Sequence, residues 1–148
     1  MNDYEQKIKE INQLIDDLYS SICFEEGEQP PLEILRRVFI PGGKMINNDD
    51  DTPRILTVEE YIDRFNEIVA SGKFKSFHEI EISHKTDLFG KIAHRFSTYE
   101  TRLSLDEAEP YSMGINSIQL IKIGPSWFIS SMVWNNQTDN RKIPEQYL

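Results

Sequence analysis

The stretch HEIEISHKTDLFGKIAHRFSTYE, residues 78–100, marks the change of apolar pattern that decides the fold of this chain. Upstream of it, apolar residues recur every three or four positions, as they do on one face of a helix. Within it, β-branched and aromatic residues alternate with polar ones on both sides of Leu88-Phe89-Gly90, which is typical of a β-hairpin. The glycine predicts a three-residue loop in which Asp87 pairs with Lys91.

Helical patterns precede this hairpin. Tyr4 to Ile22 carries an apolar face and predicts a first helix, which Asp3 can cap. A short second helix is expected from Pro31 to Phe39, because proline is tolerated in a first turn. Residues 57–60 read TVEE, a capping box that opens a third helix, and Gly72 is a natural stop for that helix.

Extended segments dominate the second half. Strands are predicted over 74–87, 91–103, 112–123 and 126–136. Phe39 to Ile46 contains Pro41-Gly42-Gly43 and is expected to form at most a short, bent pair at a sheet edge. The element order α-α-β-α-β-β-β-β predicts an α+β fold, with helices on one face of an antiparallel sheet. With 148 residues and no repeat or linker, residues 1–148 are expected to form one domain.

This order of elements resembles the nuclear transport factor 2-like superfamily, and in particular its polyketide-cyclase-like (SnoaL-like) branch, which includes many bacterial proteins of unassigned function. The resemblance rests also on GINSIQL at 114–120, on Trp127-Phe128-Ile129 and on FGKIAH at 89–94. It implies a cystatin-like cone, in which three N-terminal helices pack on a strongly bent antiparallel sheet around a pocket. The superfamily includes isomerases, dehydratases, cyclases, ligand binders and interaction modules, so it leaves function open.

Charge and composition limit the classes of binding partner and the location that we expect for this protein. The chain has 25 acidic and 16 basic residues, a formal net charge of −9, which argues against binding nucleic acid or anionic membranes. Cys23 is the only cysteine, so no intrachain disulfide is expected, and a small buried thiol is the favoured interpretation. The N-terminus lacks an apolar signal region and no apolar run approaches the roughly 20 residues of a membrane span, so the expected location is cytoplasmic.

Cofactor and metal motifs are incomplete. Gly43-Lys44 lacks the upstream glycine of a phosphate-binding loop, and Met45 stands where that loop has Ser or Thr. The acidic loop Asn47 to Asp51 lacks the glycine turn and the distal glutamate of a calcium loop. The sequence therefore predicts neither a cofactor nor a structural metal.

The predicted hairpin register supplies the candidate catalytic residues. If Asp87 pairs with Lys91, then His78 lies opposite Glu100, and the carboxylate can orient the imidazole as a general base. The same face carries an apolar centre of Ile80, Ile82 and Phe96, so we expect it to lie beneath the helices. The sequence thus predicts that all three histidines point inward.

Further pocket residues follow from the same register and from the resemblance. His84 would lie opposite His94, a cross-strand pair that lacks a third metal ligand, so no metal is expected there. Thr98 shares their face. Asn116 and Gln119 are pocket candidates that the superfamily resemblance implies, although the sequence does not orient them.

Two functional interpretations remain open. The first is a small-molecule pocket protein with cofactor-independent acid/base chemistry of the isomerase, dehydratase or cyclase type. The alternative is a non-catalytic dimeric interaction module whose cavity is filled by its own side chains. In either case a homodimer through the open sheet face is expected, because the last two strands carry apolar residues on both faces. The sequence leaves open whether the protein is an enzyme.

Overall fold

The computed structural model describes residues 1–148 as three α-helices, six β-strands and a final 3₁₀ turn. The elements are α1 (Asp3–Ser20), α2 (Ile34–Val38), β1 (Phe39–Asn47), β2 (Arg54–Thr57), α3 (Val58–Ala70), β3 (His78–Phe89), β4 (Ile92–Arg102), β5 (Ser112–Ile123), β6 (Ser126–Asn136) and the 3₁₀ turn Glu145–Tyr147. The α+β class is confirmed, and the last two strands have the predicted bounds.

A single six-stranded sheet has the order β2-β1-β6-β5-β4-β3. The expectation of a wholly antiparallel sheet is wrong, because β1 runs parallel to β6. The expectation of a short strand pair at 39–46 is also wrong. Strand β1 is nine residues long and tolerates Pro41-Gly42-Gly43 through a register shift between Phe39 and Lys44. Its hairpin partner β2 was not predicted.

Helix ends follow local capping chemistry. The Asn2 side chain, not that of Asp3, caps α1 by accepting a hydrogen bond from the Glu5 backbone N–H at 2.8 Å. The capping box is confirmed, since Thr57 and Glu60 bond reciprocally at the start of α3. Gly72 adopts a φ of +74° just beyond the end of that helix, as a C-terminal glycine commonly does.

The hydrophobic core lies between the helices and one face of the sheet, the inner face. Its fully buried side chains include Ile11 and Ile15 of α1, which pack with Ile118, Leu120 and Ile129 of the sheet. The helices cover only part of this face, so a cavity remains next to the core. None of the helices is both long and apolar enough to cross a bilayer.

Candidate functional site

The β3–β4 hairpin has a different register from the predicted one. Phe89 pairs with Ile92, so the loop contains only Gly90 and Lys91, with Gly90 at a φ of +57°. Asp87 therefore pairs with His94, not with Lys91. A two-residue loop can replace a three-residue loop around the same glycine, and sequence alone did not distinguish them.

The predicted inward face of this hairpin is wrong for β4 and for the first part of β3, whereas His84 pairs with the buried Ser97 on the inner face. Arg95, Ser97 and Tyr99 are at most 2% exposed and point toward the helices, whereas Ile80 and Ile82 are 37% and 42% exposed. The register shifts between Glu81 and Ser83, which makes Ile82 an extra residue in β3. Such a bulge reverses the alternation of side chains along the strand. The side chains of β3 that face the helices therefore have odd residue numbers before Ile82 and even numbers after it.

His78 and Glu100 are not opposed. His78 pairs with Arg102, and Ile80 pairs with Glu100. The His78 imidazole contacts the Glu25 carboxylate at 3.0 Å, and Glu100 forms an ion pair with Arg102 at 2.8 Å. The new register removes the geometric basis on which these two residues were predicted to act as a catalytic pair.

The other two histidines are separated as well. His94 lies on the outer face of the sheet, where its Nε2 is 3.0 Å from the Ser117 hydroxyl. His84 is exposed, and its pKa is lowered by partial burial and by the nearby Arg95 guanidinium. The cross-strand pairing predicted for His84 and His94 is therefore wrong. No three His, Cys, Asp or Glu side chains lie together in a way that could hold a metal ion.

Of the remaining predicted pocket residues, only one lines the cavity next to the hydrophobic core, which we call the main cavity. Thr98 lies on the outer face and donates a hydrogen bond to the Tyr147 carbonyl at 2.6 Å. Gln119 is exposed, and its side chain accepts a hydrogen bond from Ser131 at 3.3 Å. Asn116 is 2% exposed and lines the cavity, as the resemblance implied.

The main cavity has a volume of about 300 Å³ and lies between α1, α3 and the sheet. Most of its lining is apolar, with aromatic rings along one side contributed by Phe24, Tyr61, Phe65, Phe74, Phe77 and Trp134. These rings contact each other edge-on or tilted, with centroid separations of 5.7–6.4 Å. Their packing gives the cavity a fixed wall.

Glu79 is the acidic side chain in this cavity. It is only half-buried by surface area because the cavity lies beside it, but protein surrounds its carboxyl group. This desolvation raises the pKa of Glu79 to about 7, and the nearby Asn116 amide offsets a part of the increase. The carboxyl group therefore changes charge close to neutral pH.

Three tyrosines surround the Glu79 carboxylate. Burial, and then the Glu79 charge, raise the pKa values of Tyr61 and Tyr99 well above their usual range. The same two causes raise the pKa of Tyr19. The three hydroxyl groups consequently stay protonated and can donate hydrogen bonds. Tyr99 donates to the Asn136 side chain, whereas Tyr61 has no protein partner.

Gly114 makes room for Tyr99. A Cβ atom on residue 114 would lie 2.6 Å from the Asn135 carbonyl oxygen and even closer to the Tyr99 hydroxyl group. Because Tyr99 and Gly114 are paired across β4 and β5, the missing side chain allows the ring to approach the backbone of residue 114.

A second polar cluster lies on the same face of the sheet. Arg95 binds the Glu81 carboxylate through two nitrogens, at 2.5 and 3.0 Å, and donates to Asn12 at 2.7 Å. The Ser97 hydroxyl also donates to Glu81 and lies 2.6 Å from the Tyr19 hydroxyl. Every charge in this cluster is paired, so we assign it a structural role.

Tyr19 joins the two clusters. Its hydroxyl accepts a hydrogen bond from the Asn116 amide at 3.0 Å, and Asn116 lies beside Glu79. Sequence analysis missed Glu79 and Tyr99 because it placed the polar face of the hairpin in solvent. The signal that could have identified them is the regular Glu79–Glu81 and Arg95–Ser97–Tyr99 alternation.

Known proteins match this chain by structure and not by sequence. No protein-family model and no curated relative matches the sequence. Among solved structures, LinA aligns with a TM-score of 0.72 at 9% identity, covering 92% of this chain and 89% of LinA. A candidate scytalone dehydratase from Novosphingobium aromaticivorans has a TM-score of 0.67 at 11% identity, covering 91% of this chain and 87% of that one.

A nuclear transport factor 2-like protein of unknown function from Shewanella baltica aligns with a TM-score of 0.68 at 12% identity. The alignment covers 94% of this chain and all of that protein. Identities this low establish the fold alone. The resemblance inferred from sequence is confirmed at that level: the chain has the cystatin-like fold of the nuclear transport factor 2-like superfamily.

Proposed function

We propose that the protein binds a small, largely apolar molecule in its main cavity and moves a proton to or from it without a cofactor. Glu79 is the proton acceptor in this proposal. The observation that carries it is a carboxyl group with a pKa of about 7 in an apolar cavity of about 300 Å³. A general base is most effective when its pKa lies near the working pH.

Hydrogen-bond donors beside Glu79 support the same chemistry. Removing a proton next to a carbonyl group places negative charge on its oxygen, and fixed donors stabilise that charge. Tyr61 has a hydroxyl group in the cavity without a protein partner, whereas the Asn116 amide already bonds to Tyr19 and lies beside Glu79. The fold shared with the candidate scytalone dehydratase supports dehydration as the reaction class by analogy.

The alternative of a non-catalytic interaction module required a cavity filled by the protein's own side chains. The open volume beside Glu79 favours ligand binding instead.

Ring opening of nitrobenzisoxazole tests this proposal without knowledge of the natural substrate. A base removes the ring C–H proton, the N–O bond breaks, and a coloured cyanophenolate forms. We expect a rate that rises with pH through about 7, and a loss of about 100-fold in Glu79→Gln. The control variant His78→Gln should keep the wild-type rate. Equal rates for wild type and Glu79→Gln would contradict the proposal.

We also propose a homodimer through the outer face of the sheet. Ile115, Ile121, Phe128 and Val133 lie on this face and are only half-buried. The C-terminal segment covers a neighbouring region, where Tyr147 packs against Phe96 with ring centroids 5.2 Å apart. Light scattering at micromolar concentration should give twice the monomer mass, and Phe128→Asp should give the monomer. A wild-type monomer would contradict this proposal.

A further inference from the structure

The seven arginines of the chain divide into two groups by their ionic partners. Five form ion pairs with carboxylates: Arg36, Arg37, Arg95, Arg102 and Arg141. Arg54 and Arg64 form none, and both line the main cavity. A guanidinium group presents a rigid fork of donors that matches a carboxylate, so two such groups without partners at one cavity mark a site for an anion.

Both arginines lie at the rim of the cavity. Arg54 is the first residue of the edge strand β2, and Arg64 lies in the middle of α3. Both residues are exposed, whereas the Glu79 carboxyl group is enclosed. The cavity therefore has two guanidinium groups at its rim and an acid inside.

No carboxylate forms an ion pair with either arginine, although acidic residues are close to both in the sequence. Glu59 binds Arg36, and the Glu60 carboxylate accepts a hydrogen bond from the Thr57 N–H. Asp49 accepts a hydrogen bond from the Asn136 N–H at 2.6 Å. Asp50 and Asp51 precede Arg54 in the chain but form no ion pair with it. The donors of both guanidinium groups therefore have no carboxylate partner within the protein.

We propose that the ligand of this cavity has an apolar body and a carboxylate head, and that Arg54 and Arg64 bind the head. This inference rests on the proposed ligand-binding function and specifies its substrate class. The aromatic wall suits the apolar body, since 15 of the 23 lining residues are hydrophobic. With its carboxylate at the rim, the ligand presents its far end to Glu79 and keeps two negative charges apart.

Phenylbutyrate and its neutral amide, phenylbutyramide, form a matched pair of probes for this inference. Titration calorimetry should show that wild type binds the carboxylate about tenfold more tightly than the amide. Arg54→Gln and Arg64→Gln should each weaken carboxylate binding about threefold to tenfold and leave amide binding unchanged. Raising the salt concentration should reduce the preference, because both arginines are exposed. The control Arg37→Gln removes the same charge outside the cavity and should have no effect.

Equal affinity of wild type for the two probes would overturn the carboxylate inference, and so would a preference that survives in the double variant. In both cases ligand binding in the cavity would stand. Failure of both probes to bind would also overturn the inference. The role of Glu79 would still be decided separately, because nitrobenzisoxazole is neutral and needs neither arginine.

Discussion

Two acidic side chains that are neighbours on β3 have opposite environments. Glu81 is bound by Arg95 and Ser97, whereas Glu79 faces a cavity and forms no ion pair. Both lie on the inward face of the same strand, two residues apart. A buried charge that is fully paired stabilises a structure only while both partners remain. A buried carboxyl group without a cation instead acquires a raised pKa, which makes it suitable for proton transfer.

Removing one partner of the paired cluster should have the largest effect on stability. Glu81→Leu leaves the Arg95 guanidinium buried and unpaired, which should lower the free energy of unfolding by about 3–5 kcal/mol. The double variant Glu81→Leu with Arg95→Met should recover most of this loss, because no unpaired charge is left. Urea denaturation measures both. A single variant as stable as wild type would show that the pair has no structural role.

Above neutral pH, Glu79→Gln should raise the stability of the protein, and by less than Glu81→Leu lowers it. The pKa of Glu79 is about 7 in the folded protein and near 4.5 in a model peptide, so the native state binds the extra proton between these values. The stability of wild type should therefore decrease as the pH rises from about 4.5 to about 7. At pH 8 the glutamine variant should be more stable by about 1–3 kcal/mol, a range that allows for partial solvation by the cavity.

Below pH 4.5 this difference should disappear, since both side chains are then neutral. Thermal melts of the two proteins across this pH range provide the measurement. If the difference in stability between the two proteins does not depend on pH, then Glu79 is ionised as in an unfolded chain. That result would contradict the contrast between Glu79 and Glu81.

His78→Ala should have the smallest effect. The imidazole contacts the exposed Glu25 and does not line the cavity. Its loss should lower the free energy of unfolding by about 1 kcal/mol, because the side chain is only 12% exposed but its ionic partner lies in solvent. Nitrobenzisoxazole ring opening should be unchanged. A loss of ring opening as large as that of Glu79→Gln would return His78 to the site.

The elements that were predicted correctly depend on residues that are close together in the sequence. The capping box at Thr57 and the alternation in β5 and β6 depend on neighbouring residues, and the structure confirms the elements predicted from them. The parallel pairing of β1 with β6 depends on contacts about 90 residues apart in the chain, for which no local pattern exists.

The candidate site was mispredicted for a different reason. Apolar Ile80 and Ile82 favoured one face of the hairpin, but β3 is an edge strand, where an isoleucine can remain exposed. The polar face is buried because its groups bond to one another, as Arg95 does with Glu81. In addition, the bulge at Ile82 changes which side chains of β3 face the helices. Asn116 was identified only through the superfamily resemblance, because the apolar residues on both faces of β5 left its orientation open.

The titration of Glu79 is the most direct test of this account. Carbon-13 NMR of glutamate side-chain carboxyl groups, assigned by comparison with Glu79→Gln, follows the protonation of this residue alone. We predict a midpoint near pH 7, well above those of exposed glutamates in the same spectra. A midpoint near 4.5 would show that the carboxyl group is solvated like the others, and would contradict its role as a base in the cavity.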